Sequence, residues 1–175
     1  MCQLRARGEV LPAADGSVKV MRDMTITEAL VAEHTTFLVV FDQIERALPS
    51  LATMPEVQTM ARMVEGLLES HAKTETEVAY LALDHILAEH GDLNRMHQDH
   101  REIDERLRKV HSARTCAEAR KLLKSALLAS REHFQIEERG VFPLLEQSLQ
   151  PETLAELGRA WLRRPAARLE AAPVA

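Results

Sequence analysis

The chain has 175 residues, of which 46% are hydrophobic and 28% charged, proportions typical of one soluble globular domain and not of a disordered chain. Its formal net charge of −5 argues against nucleic acid or an anionic membrane surface as the main partner. No uncharged apolar run approaches the roughly 18 residues that a membrane span needs. The first residues lack the apolar segment of a secretory signal, so we expect a cytoplasmic protein.

Aromatic residues make up only 3% of the chain, yet eight residues are histidine. A core with so few large rings is expected to pack through aliphatic side chains. The imidazoles are then available for a purpose other than filling the core.

The helix breakers and helix-start motifs predict an all-α protein. Glycine and proline are absent from 92 to 139, which favours long helices over short strands. Three threonines stand three positions before a glutamate, the spacing of a capping box: Thr25 and Glu28, Thr53 and Glu56, Thr115 and Glu118. We predict helices over 27–48, 54 into the 80s, 93–111, 116–146 and, shorter, 151–163. The fourth is expected to be strained near Gly140 and Pro143.

The predicted domain is 24–164, preceded by an N-terminal extension (1–23), which we expect to be flexible, and followed by a tail (165–175). Apolar residues recur at intervals of three and four along each long helix, and the connections are short. Narrow stripes of this kind predict an antiparallel up-down four-helix bundle with a short fifth C-terminal helix.

Four histidines occupy these apolar stripes, and two of them have a glutamate four positions later on the same helix face. The residues are His34, His71 with Glu75, His100, and His133 with Glu137. In an antiparallel pair of helices, two residues lie at one level when their midpoint falls at the connecting turn. By this criterion all six side chains lie at roughly one height in the bundle.

An internal repeat supports this selection. The Glu33-His34 and Asp99-His100 pairs are each followed by apolar residues at matching positions. Each His-x-x-x-Glu motif is followed five residues later by an aromatic residue, Tyr80 in one half and Phe142 in the other. Two halves that keep the same unusual residues are typical of a duplicated helical hairpin.

Six ionisable groups in an aliphatic core predict a metal centre. Each would be costly to bury unpaired, and imidazole and carboxylate are good ligands for divalent iron, manganese or zinc. Two carboxylates from different helices can bridge two ions, so we favour a dinuclear centre over one ion with six ligands. Iron is preferred over zinc or manganese, and no cysteine joins the cluster as a zinc ribbon or an iron–sulfur site would require.

These motifs resemble those of the hemerythrin/HHE cation-binding family over about residues 24–147. The segment His133-Phe-Gln-Ile-Glu137-Glu138, with Val141-Phe142-Pro143, is similar to that family's His-x-x-x-Glu-Glu-x-x-Leu-Phe-Pro signature. The resemblance implies an up-down four-helix bundle around a non-heme di-iron centre with an oxo or hydroxo bridge. It also implies that the four histidines are terminal ligands and that Glu75 and Glu137 bridge the two irons.

Two departures from the oxygen carriers of this family point to its bacterial branch and argue against simple reversible oxygen carriage. The carriers have a histidine four residues before the one that matches His100, where this chain has Met96. The centre therefore has one imidazole fewer, or His97 or a water takes that place. The carriers also use an aspartate five residues after the fourth-helix histidine. Here that position is Glu138, a further candidate ligand, although the repeat favours Glu137.

Three functions remain open at this stage. The leading one is a protein that binds or senses a small ligand, O₂, NO or peroxide, at a di-iron centre. A second is a redox enzyme, similar to a catalase or peroxidase or an oxygenase, in which Tyr80 is a redox or ligand candidate if it is not simply a core residue. The third is an iron-handling module without turnover.

Overall fold

The computed structural model describes residues 24–83 and 92–163, and within these ranges every regular element is a helix. The predicted N-terminal extension, the C-terminal tail and most of the predicted corner around 84–92 lie outside the described residues. None of the described helices combines the length and the apolar character needed to cross a lipid bilayer.

The helices follow one another with short connections. Helix α1 spans Ile26–Ala47 and is followed by a 3₁₀ turn at Leu48–Ser50. Helix α2 (Met54–Thr74) continues as a π-helix over Glu75–Tyr80, and α3 is Asp92–His111. Helix α4 (Cys116–Ile136) continues as a second π-helix over Glu137–Val141 and then as α5 (Phe142–Ser148), and α6 is Pro151–Leu162. The five predicted helices are present, but the two π-helices inside the second and fourth were not predicted.

Helix-start motifs explain two of the boundaries. Before α1, the Thr25 hydroxyl accepts from the Glu28 N–H at 3.2 Å, and the Thr25 N–H donates to the Glu28 carboxylate at 2.8 Å. Before α4, the Thr115 hydroxyl accepts from the Glu118 N–H at 3.1 Å. The Glu118 carboxylate reaches back to accept from the N–H of Arg114 at 2.9 Å, one residue before Thr115.

The apolar core consists of two clusters with a polar layer between them. The first contains the middle of α1, most of α2, the second half of α3 and most of α4, with Phe41 and Leu107 fully buried. The second contains the start of α1, the end of the α2 segment, the start of α3, and α5 and α6, with Leu30 and Leu145 fully buried. On each long helix the histidine of the predicted site lies between residues of the two clusters. The fold therefore presents four histidines to one internal layer.

Candidate metal centre

The structure brings the six predicted residues together between α1, α2, α3 and α4. They form two groups of four whose ligand atoms lie within 4.8 Å of one another. One group contains His34 and His71, the other contains His100 and His133, and both contain Glu75 and Glu137. His100 is partly exposed, and the other five side chains are buried. Two groups that share two carboxylates have the composition expected of a site for two cations.

The carboxylate of Glu75 reaches both groups, one oxygen to each. Its Oε1 lies 3.1 Å from Nε2 of His71. Its Oε2 lies 3.4 Å from Nε2 of His100. A carboxylate held in this way can donate to two neighbouring ions.

The carboxylate of Glu137 has the corresponding arrangement in the other half of the repeat. Its Oε2 lies 3.4 Å from Nε2 of His34, and its Oε1 lies 3.3 Å from Nε2 of His133. The Tyr80 hydroxyl also donates to Oε1 of Glu137. The repeat found in the sequence thus places two equivalent carboxylates between the same two pairs of imidazoles.

Several of these buried atoms have no hydrogen-bond partner within the part of the chain that the structure describes. They are both carboxylate oxygens of Glu75, Oε2 of Glu137, and Nε2 of His100 and of His133. Their contacts of 3.1 to 3.4 Å lack hydrogen-bond geometry, so the lone pairs converge on shared space. Unsatisfied buried polar atoms are rare in native proteins and call for an explanation. Nitrogen and oxygen ligands for divalent cations explain this set.

Both glutamates stand at the first position of a π-helix, Glu75 in 75–80 and Glu137 in 137–141. A π turn is closed by a hydrogen bond from residue i+5 to residue i, as between the Phe142 N–H and the Glu137 carbonyl. The fifth residue therefore stacks close to the first, which explains why Tyr80 and Phe142 follow their glutamates by five. Directly after the second π-helix, Pro143 in the first turn of α5 has no N–H to donate to the preceding turn. The π-helix lies in the segment near Gly140 and Pro143 where the sequence predicted a strained helix.

Carboxylates on the far side of the imidazoles fix the ring orientations. Nδ1 of His71 lies 3.0 Å from Oε2 of Glu33, and Nδ1 of His34 lies 2.9 Å from Oε1 of Glu138. Nδ1 of His133 lies 3.5 Å from Oδ2 of Asp99. An imidazole that donates its Nδ1–H to a carboxylate turns its Nε2 lone pair inward, as histidine ligands of metals commonly do.

The further candidates His97 and Glu138 fall outside both groups. Glu138 contacts the outer nitrogen of His34, and the His97 ring lies edge-on to Tyr80, with centroids 5.8 Å apart. Met96 is 1% exposed and packs in the second apolar cluster.

The electrostatics of the six groups reflect their mutual contacts. Burial alone disfavours the charged imidazole of His71, but the carboxylates of Glu75 and Glu33 outweigh it and raise the pKa of His71 to about 10. Burial likewise opposes ionisation of Glu75, yet the neighbouring histidines hold its pKa well below the usual value. In the metal-free protein these charges compensate one another.

A small cavity of about 20 Å³ adjoins the site, enough for one water-sized molecule. His71, His100 and His133 line one part of it, and apolar side chains that include Ile103 line another. Asp104 also reaches this cavity, and burial raises the pKa of its carboxyl group. A ligand about the size of a water molecule has room here beside three of the imidazoles.

Several side chains around the site were not assigned a role by the sequence analysis. The Phe134 ring stacks on His34 with centroids 4.0 Å apart, and the indole of Trp161 donates to Glu33 at 3.2 Å. The sequence repeat could have indicated a role for Glu33 and Asp99, because an acid directly precedes a histidine in both halves of the repeat. Each acid contacts the histidine of a neighbouring helix, which periodicity along one helix does not reveal.

A family model described as the hemerythrin HHE cation-binding domain matches residues 25–145. This range covers more than half of the chain and includes all six residues of the two groups, whereas α6 lies beyond it. Comparisons with curated proteins and with solved structures gave no significant match.

Proposed function

The chain belongs to the hemerythrin HHE cation-binding domain family, and from this premise we propose that it holds two iron ions and binds or senses O₂, NO or peroxide. His34 and His71 would ligate one ion and His100 and His133 the other, with Glu75 and Glu137 bridging. Ferrous ions so bound would supply an open coordination position and electrons to a small ligand.

One observation carries this proposal. Each buried carboxylate directs one oxygen to each pair of histidines, and several of these atoms lack any other partner among the described residues. A pair of separate His–Glu contacts would not require every carboxylate to face both histidine pairs. Two cations shared by both carboxylates would explain why each carboxylate faces both pairs of histidines.

The surrounding residues perform three tasks at this site. Glu33, Glu138 and Asp99 orient the imidazoles through their outer nitrogens. The buried rings of Phe37 and Phe134 exclude water on the side of His71 and His34. The cavity beside His100 and His133 gives a small ligand access to the histidines without opening the core.

The test is metal content followed by optical spectroscopy. Protein produced without added metal is analysed for iron, zinc and manganese per chain, then emptied, reconstituted anaerobically with ferrous iron and exposed to air. We expect two irons per chain and new charge-transfer bands in the near-ultraviolet and visible range. Glu75→Gln is the matched variant, because it keeps the volume of the side chain and removes the charge. One metal per chain, or no bands after stoichiometric loading, would contradict the proposal.

A redox enzyme is the second candidate, favoured by the contact between the Tyr80 hydroxyl and the carboxylate of Glu137. Burial and the nearby carboxylates raise the pKa of Tyr80, so the phenol keeps its proton. A phenol at a bridging carboxylate can donate a proton or an electron during turnover. Oxygen evolution from hydrogen peroxide that exceeds free iron and is lost in Tyr80→Phe would favour the enzyme. A rate no faster than that of free iron would favour binding or sensing, and equal rates above that of free iron in both proteins would show turnover that does not need Tyr80.

We also propose that α1 to α4 form the antiparallel up-down bundle. Support comes from contacts that join the start of one helix to the end of another. The Gln58 side chain near the start of α2 donates to the carbonyl of His111 at the end of α3, at 3.3 Å. Nearer the middle of α3 and α4, the Arg106 guanidinium donates to the Ser125 hydroxyl at 2.7 Å.

A further inference from the structure

Helix α6 lies beyond the residues that the family model matches, yet it reaches the metal centre through one side chain. The indole Nε1–H of Trp161 donates to Oε2 of Glu33 at 3.2 Å. The same Oε2 lies 3.0 Å from Nδ1 of His71. One carboxylate oxygen of α1 thus joins a helix outside the bundle to an imidazole of the centre.

Close packing holds α6 in a defined position against α1, so that the contact between Trp161 and Glu33 depends on the docking of α6. Leu154 is buried in the second apolar cluster, and Gly158 lies directly against the chain at the start of α1. A Cβ at position 158 would come within 1.9 Å of the carbonyl oxygen of Met24. This close approach holds α6 against α1 within one helical turn of Trp161, and α1 in turn carries Glu33.

We propose that Trp161 is a positioning residue for the metal centre, acting through Glu33 on His71, so that docking of α6 and metal binding favour each other. This inference depends on the proposed function, in which His71 is a ligand. The indole N–H restricts the Glu33 carboxylate, and the carboxylate restricts rotation of the imidazole. Because linkage is reciprocal, a metal ion that fixes His71 also strengthens the docking of α6.

The chain offers a direct probe, because Trp161 is its one tryptophan. Zinc is redox-inert and can be titrated into the metal-free full-length protein while a chromophoric chelator reports binding. We expect the emission maximum of Trp161 to shift in proportion to zinc bound. In Glu33→Ala, zinc still binds but the emission does not respond. Stoichiometric zinc binding with unchanged emission in the natural protein would overturn the linkage.

Metal release provides the second readout. Trp161→Phe keeps an aromatic ring in place and removes the indole N–H. We expect this variant to lose metal to a chelator about tenfold faster, at the lower end of the effect known for partners of metal ligands. A purely structural role for Trp161 would lower the melting temperature of the metal-free protein and leave the release rate unchanged.

A double-mutant cycle separates the hydrogen bond from general packing. In the Glu33→Ala background, Trp161→Phe should have no further effect on metal release. An equal acceleration in both backgrounds would contradict the route through Glu33. If no protein in the set binds metal at all, the proposed function fails, and that result differs from bound metal without linkage.

Discussion

Phe134 shows how a single apolar side chain holds the polar layer in place. Its ring stacks on His34 with an interplanar angle of 13° and meets the His71 ring nearly at a right angle. Two imidazoles of one group therefore rest on the same buried phenyl ring, which is 2% exposed. Its role in the site is steric, because it offers no ligand atom.

We predict that Phe134→Ala lowers the free energy of unfolding by about 3–5 kcal/mol, the usual cost of emptying a buried phenyl site. Denaturant unfolding of the metal-free protein measures this loss. Phe134→Leu is the control: it refills part of the space, so its loss should be smaller, but metal release should still be faster. Release at the natural rate in Phe134→Leu would mean that the ring does not position His34.

The six side chains of the candidate site could be selected from the sequence because helix periodicity, the midpoint criterion for antiparallel helices and the internal repeat all indicated the same residues. A seam histidine and a glutamate four residues later share a face whatever surrounds them. The contacts of Glu33 with His71 and of Asp99 with His133 instead depend on the rotation of two helices relative to each other. Single-helix periodicity does not contain that rotation, so these partners were not predicted.

At the scale of an element, Glu56 stabilises the start of α2 through its charge. The Glu56 carboxylate accepts from the N–H groups of Ala52 and Thr53 at 2.9 and 2.8 Å. These hydrogen bonds, that from Thr53 first, hold the pKa of Glu56 below its ordinary value of 4.5. The cap is therefore fully formed above the unfolded-state pKa and is lost as the pH falls through the folded-state pKa.

We predict that Glu56→Ala destabilises the protein at neutral pH and that this difference shrinks in acid below the pKa of Glu56. Unfolding measured across the acid range checks both parts. Glu56→Gln is the control, because an amide oxygen can still accept in a capping box but does not titrate. If the difference in unfolding free energy between the natural protein and Glu56→Ala stays constant through the acid range, the charge of Glu56 does not stabilise the start of α2.

Two glycines provide a matched pair of substitutions. A methyl group at Gly158 meets the backbone of Met24 and Thr25, whereas one at Gly140 meets nothing within 4 Å. We predict that Gly158→Ala costs about 1–3 kcal/mol by overpacking the α6–α1 contact. Gly140→Ala should add about 0.5–1 kcal/mol by reducing the freedom of the unfolded chain. Equal effects of the two changes on denaturant unfolding would contradict this account of α6 docking.

The two π-helices are the features of the helices that the sequence analysis did not predict. The five-residue spacing from Glu75 to Tyr80 and from Glu137 to Phe142 was visible in the repeat. Pro143 gives a local reason for the second π-helix, but neither glycine nor proline lies between 67 and 90 to mark the first. The helix ends were predictable within a few residues because caps and prolines set them locally.

For the whole molecule, the position of the polar layer would couple metal binding to global stability. The layer joins two apolar clusters that together include residues from every long helix. Without bound cations, several buried polar atoms of this layer have no hydrogen-bond partner among the described residues, which lowers the stability of the folded form. A ligand that binds only the folded chain stabilises it by mass action.

We predict that stripping the metal with a chelator lowers the melting temperature by about 10–20 °C when both sites had been loaded with free metal a hundredfold above their Kd. Differential scanning calorimetry of loaded and stripped protein measures the shift. Glu75→Gln, with a weakened site, should show a much smaller difference between the two forms. A stripped protein that melts as high as the loaded one would refute the role assigned to the layer.

Nε2 of His34 lies only 2.9 Å from Nε2 of His71, and this short contact has a consequence for the uptake of a metal ion. Their Nδ1 atoms face carboxylate oxygens of Glu138 and Glu33. Because the carboxylates of Glu75 and Glu33 raise the pKa of His71 to about 10, that imidazole carries a positive charge at neutral pH in the absence of metal. A cation bound at Nε2 of His71 would displace a proton, so metal uptake would exchange one positive species for another and acidify a weakly buffered solution.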